Sequence, residues 1–153
     1  MAELDFAPAL LEFLVDEGVA VRPADADGVA PVVFHDPKDG APAPAGGLAG
    51  GTITLTTVGT PSAGEDNARK RAVIALNVRA NTNAAALLII RAIEGKLVPR
   101  ELWGGKNEFA LGPINPCHLC LPFRGPQRIG VTDEGYQWDL AFEFMASRSV
   151  LST

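Results

Sequence analysis

The chain has 153 residues, 47% of them apolar, which is enough for one domain with a sizeable core. A formal net charge of -5 and a pI near 5.0 exclude general affinity for nucleic acid or acidic membranes, since both require basic surface. No window approaches the roughly 20 continuous apolar residues of a membrane span. The acidic amino terminus lacks the basic region of a secretory signal, and two cysteines do not make a disulfide framework. A protein made and assembled in a cytosol is therefore expected.

In chain order, Asp5 can cap a first helix with Pro8 in its first turn, where a missing N–H costs nothing. Leu10, Leu11, Phe13 and Leu14 recur at helical spacing, Glu12, Asp16 and Glu17 stay wet, and Gly18 ends the element. Val19–Arg22 and Val32–Phe34 predict two short strands joined around Asp27-Gly28, a dipeptide suited to a tight hairpin. Pro31 confines the second strand to an edge, or itself to the strand's start. From 35 to 51 the chain is dominated by Asp-Pro, Ala-Pro and Gly-Gly steps that bury too little to offset ordering entropy, so a mobile loop is expected. Thr52–Val58 predicts a strand with Ile53 and Leu55 inward and the threonines outward. Residues 59–71 predict a second exposed loop, in which Glu65 and Asp66 precede Arg69, Lys70 and Arg71.

The organising stretch follows. Ala72-Val-Ile-Ala-Leu-Asn-Val-Arg79 alternates, with Ile74, Leu76 and Val78 on one face. Asn81, Thr82 and Asn83 supply side-chain oxygens to cap a helix over 84–94, which Gly95 is placed to close. Ala86, Ile89 or Ile90, Ile93 and Leu97 form a helical stripe, but Leu87 and Leu88 widen it until only Asn83, Arg91 and Glu94 are clearly polar. A helix apolar almost all round needs cover on two sides. One is its own sheet; the other is a second layer or another subunit.

Between Lys96 and Pro116 the pattern weakens, and Trp103 and Phe109 are expected to plug the core's edge or a subunit contact. Cys117 to Phe123 alternates as a strand, Arg128–Val131 follows a Gly-Pro turn, and Asp133-Glu-Gly135 marks another turn. Tyr136, Trp138, Leu140, Phe142, Phe144 and Ala146 then share one face of a final strand, with Gln137, Asp139, Ala141, Glu143 and Met145 on the other. Such alternation predicts one buried and one largely wet face. The order of elements predicts a single α+β domain over 1–153, a mostly antiparallel sheet covered by two helices.

Cys117-His-Leu-Cys120 is the most tempting chemical motif. A zinc site would need a second ligand pair, and the other histidine, His35, is remote in sequence. A redox pair should open a helix, which lowers the thiol pKa, whereas this one lies in a strand pattern. Small buried apolar residues are the stronger reading. Asp25-Ala-Asp27-Gly28 lacks the later ligands of a calcium loop, and the glycines of 46–51 precede a strand where a phosphate loop precedes a helix. Ser62 is not in a nucleophile elbow, and Asp133, Glu134, Asp139 and Glu143 have no apolar pocket to raise a pKa. Arg69–Arg71 could touch phosphates, yet three cations beside Glu65 and Asp66 are more often a solvated strand start. No enzyme, cofactor or metal site is expected.

With these elements in order, the chain resembles the phage tail terminators, small neck proteins that cap the tail tube of long-tailed phages. The likeness is carried by the helix Pro8–Gly18, the strand-turn-helix Val73–Gly95 and the closing run Gly130–Phe144, and it covers nearly all residues as pattern without a diagnostic signature. The length of the 35–51 loop departs from the family. The resemblance implies a structural virion protein, assembled in the host cytoplasm, forming a homo-hexameric ring on the last tail-tube ring. Its partners would be copies of itself, the tail tube protein and the head-completion or connector proteins, with DNA passing through the lumen without specific binding. Under it, Glu65, Asp66, Arg69, Lys70, Arg71, Leu87, Leu88, Arg91 and Trp103 are candidates for subunit or partner contacts. A head-tail connector or stopper, and a small redox or ligand-binding domain using Cys117 and Cys120, stay open as alternatives.

Overall fold

The computed structural model describes residues 4–35, 50–59, 69–97, 109–117, 119–132 and 135–152. The 35–51 loop therefore lies largely outside the described residues, as do Ser62, Glu65, Asp66, Trp103, His118, Asp133 and Glu134. The described architecture is α+β, with a mostly antiparallel five-stranded sheet, as expected.

The first helix, α1, spans Phe6–Asp16 and buries Phe6, Ala7, Ala9, Leu10, Phe13 and Leu14. Asp5 holds the N-cap position in extended backbone, but its side chain makes no cap hydrogen bond. The far end is closed as the sequence requires. Gly18 takes a φ of 75°, its N–H donates to the Val15 carbonyl at 3.1 Å, and the Val19 N–H reaches the Leu14 carbonyl at 2.9 Å. This double bond pattern satisfies carbonyls the helix would otherwise leave bare.

The expected hairpin around Asp27-Gly28 does not form. A 3-10 turn, Pro23–Asp25, carries the chain outward, and Val21 then bridges Val32 in parallel, not antiparallel, sense. Asp27 explains the difference: its Oδ1 accepts the N–H groups of Val29 (2.9 Å) and Ala30 (3.0 Å). The carboxylate thus closes a local loop and leaves the chain to return in its original direction.

Strand β1 (Val32–His35) pairs in parallel with β2 (Thr52–Gly59), and β2 pairs antiparallel with β3 (Arg69–Ala80). β3 thus begins three residues before the alternation suggests, because Arg69–Arg71 pair with Ser147–Met145 of the last strand. Helix α2 (Asn83–Leu97) follows. Its start is capped by Thr82, whose Oγ1 accepts the Ala85 N–H at 3.1 Å, and Asn83 Oδ1 accepts the Trp138 indole N–H at 2.8 Å. Gly95 does not end this helix. It lies inside the last turn, and Leu97, fully buried, draws the helix on by packing.

The stretch expected to be irregular contains a small hairpin, β4 (Phe109–Leu111) and β5 (Ile114–Cys117), turned at Gly112-Pro113. Gly112 has a φ of 55°, and a Cβ there would stand 2.8 Å from the Ala9 carbonyl, so the turn sits tightly on α1. Phe109 meets Phe13 edge-on, with ring centroids 6.0 Å apart.

Strand β6 (Leu119–Thr132) runs straight through Gly125-Pro126, where a turn is expected, and pairs along its length with β7 (Gly135–Ser147). The turn residues are absorbed as irregularities between Pro122 and Arg124, Arg124 and Gln127, and Arg128 and Gly130. A short helix, α3 (Arg148–Leu151), follows. The order across the sheet is β1-β2-β3-β7-β6.

Both long helices lie on the face formed by Ile53, Leu55, Ile74, Leu76, Val78, Leu140, Phe142 and Phe144, and the core is continuous from Phe6 to Leu151. The opposite face is not simply wet. Thr52 is fully buried where an outward threonine is expected, and Val73, Ala141 and Glu143 are 3%, 1% and 7% exposed.

Candidate functional site

The candidate contact residues fall on two different faces. Arg71 extends onto the sheet face opposite α1 and α2, where its guanidinium forms an ion pair with Glu143. Its register explains the partner, since Val73, two residues on, pairs with Glu143. Arg69 is exposed and Lys70 half-buried at the same end of β3. On the other side of the sheet, α2 turns Leu87 half-buried onto the core, while Leu88 is 63% exposed and Arg91, one turn on, is exposed as well. Leu88 and Arg91 share the outer surface of α2 with Ala84, Ala92 and Gly95, all exposed. The sheet separates this surface from Arg71, so the two groups do not make one site.

Two ion pairs lie across the sheet on the face opposite α1 and α2. Besides Arg71 and Glu143, the Arg124 guanidinium meets the Asp139 carboxylate, so β3, β7 and β6 are tied across the sheet by opposite charges. Asp139 and Glu143, expected on a wet face, are 21% and 10% exposed at the side chain. Each guanidinium has a buried Nε without a hydrogen-bond partner, and so does the Thr52 hydroxyl.

Cys117 and Cys120 are both fully buried. They do not share the one strand that the alternation predicts: Cys117 ends β5, Cys120 lies in β6, and both join the main core. The Cys117 thiol donates to the Met145 carbonyl at 3.4 Å. Among the described residues, no group of His, Cys, Asp or Glu could hold a metal ion, and no helix is long and apolar enough to cross a membrane. Asp25 and Asp27 flank a turn in which Asp27 is satisfied by backbone N–H groups, which hold its carboxyl below the ordinary range.

The surface that sequence reading missed lies on β6. Phe123, Ile129 and Val131 are 58%, 55% and 58% exposed, on the outermost strand of the sheet. Phe123 and Ile129 occupy the irregular positions without a cross-strand partner in β7. The only hint in the sequence is an apolar residue beside each break in the alternation, at Pro122-Phe123 and Ile129-Gly130. At the far edge, Val29 and Val58 are 82% and 57% exposed.

A scan of the chain against protein-family models finds no match, and a search of the curated proteins finds none.

Proposed function

We propose that the protein is a structural, self-assembling subunit that caps a phage tail tube as a ring and joins the tail to the head-completion proteins. The observation that carries the reading is the apolar surface that one subunit leaves uncovered: Phe123, Ile129 and Val131 on an outer strand, and Leu88 on α2. Exposed large side chains concentrated on the rim of a small sheet suit burial against further copies or partners. The sheet with two helices on one side is the α+β arrangement that the order of elements predicts, and it leaves a sheet rim free for such contacts. In this reading the outer surface of α2, with Leu88 and Arg91, meets the tube or the head-side partner, and Arg69 and Lys70 border the same assembly.

Electron microscopy of the purified protein mixed with tail tubes tests this directly. Rings on tube ends are expected, and Leu88→Glu should keep the fold by circular dichroism while lowering the capped fraction. Binding at the capsid vertex in place of tube ends would assign the protein to the connectors instead. A monomer with thiol-dependent activity would overturn the structural reading altogether.

A further inference from the structure

The sheet ends in two edges that differ in charge, and each carries exposed apolar side chains. On the β6 edge, Ile129 and Val131 follow Arg128 along the strand and Phe123 stands further back on it; Arg128 is itself exposed and paired in register with Trp138. At the β1 edge, about 19 Å away across four strand spacings, the Pro23–Ala30 segment presents Val29 with the exposed carboxylates Asp25 and Asp27. Asp27 is fixed in place by the Val29 and Ala30 N–H groups, so its charge and the Val29 side chain belong to one rigid turn.

Neither edge is open for adding another strand. β6 carries Pro122 and Pro126 and three register shifts, and β1 is covered on its outer side by Val21, whose carbonyl accepts the Val33 N–H at 3.0 Å. A neighbour at either edge must therefore be held by side chains.

We infer that the β6 edge of one copy docks against the Asp25–Val29 turn of the next, with Arg128 facing the carboxylates and Ile129 packing near Val29. The complement of each edge is found on the other, and the occupant is a second copy of this chain. The contact is head-to-tail: each copy keeps one unused edge after docking, so association continues until the rotation closes a ring. This deepens the ring proposed above and rests on it, naming the surfaces that would meet.

The test is sedimentation equilibrium of the full chain over a wide concentration range, with Arg128→Glu, Asp25→Lys and the double variant beside the wild type. Each single variant should keep its melting temperature and associate about tenfold more weakly, the effect of one opposed charge pair at an interface. The double variant, which restores opposite signs, should recover the wild-type association. Closed rings of the wild type with unaffected single variants would overturn these surfaces and leave the ring intact. A wild type that stays monomeric yet caps tubes would overturn self-docking at this edge. Weakened single variants without recovery in the double would overturn the pairing of Arg128 with Asp25.

Discussion

Glycine 51 illustrates how much of this fold rests on single positions. Its φ is 82°, and a Cβ would lie 2.7 Å from the Ile89 methyl and 2.9 Å from the Arg79 carbonyl. Gly50, beside it, would meet the Ala30 carbonyl at 2.5 Å. In sequence these two close a Gly-rich run expected to be a mobile loop; in the structure Gly51 packs against the Arg79 backbone of β3 and Ile89 of α2, and Gly50 against the segment that leads into β1. Gly51→Ala must both adopt a strained backbone and displace Ile89, so a loss of about 2–3 kcal/mol is expected in urea unfolding. An unchanged midpoint would refute that packing. Asp27 makes a second prediction. Its carboxyl titrates below the ordinary value because the Ala30 and Val29 N–H groups hold the charged form. Its contribution to stability is present above the unfolded-state value and is lost as pH falls through the lower folded value. Asp27→Asn keeps an acceptor oxygen without the titration. The melting-temperature difference between wild type and variant should therefore shrink as the pH drops below about 4, and a pH-independent difference would refute it.

At the scale of elements, what could be read from sequence was whatever local pattern and tertiary pairing agree on. The alternation of Ile74, Leu76 and Val78, and of Leu140, Phe142 and Phe144, marks β3 and β7 because each strand turns that set onto the helices. Thr82 and the stripe Ala86, Ile90, Ile93, Leu97 mark α2 for the same reason. The failures come where a long-range partner overrides a local signal. Gly125-Pro126 has the chemistry of a turn, yet pairing with β7 on both sides holds β6 extended through it. Asp27-Gly28 has the chemistry of a hairpin, yet β1 is taken up in parallel by β2 and its turn is closed by a side chain. The candidate surface fared similarly. Leu88 and Arg91 are legible from helical spacing, and the structure leaves both exposed. Phe123 and Ile129 are not, because their exposure arises from breaks in register that only the neighbouring strand reveals. Glu143 was hidden too: its burial depends on Arg71, which approaches from a strand remote in sequence.

At the scale of the molecule, the sheet is held together through β7. It lies between β3 and β6 and pairs with both over nearly its full length. Without it, β3 keeps only β2, and β6 has no partner in the sheet. A chain stopped after Thr132 should therefore remain protease-labile and lack a cooperative thermal transition, whereas a protected core in that truncation would contradict the hub role assigned to β7. The order of synthesis gives this arrangement a temporal meaning. The strand on which the others depend leaves the ribosome after all of them, so β3 must wait, with Ile74, Leu76 and Val78 uncovered, for a mate still to be translated. The interval before β7 emerges is when nascent copies are most prone to aggregate or to recruit a chaperone.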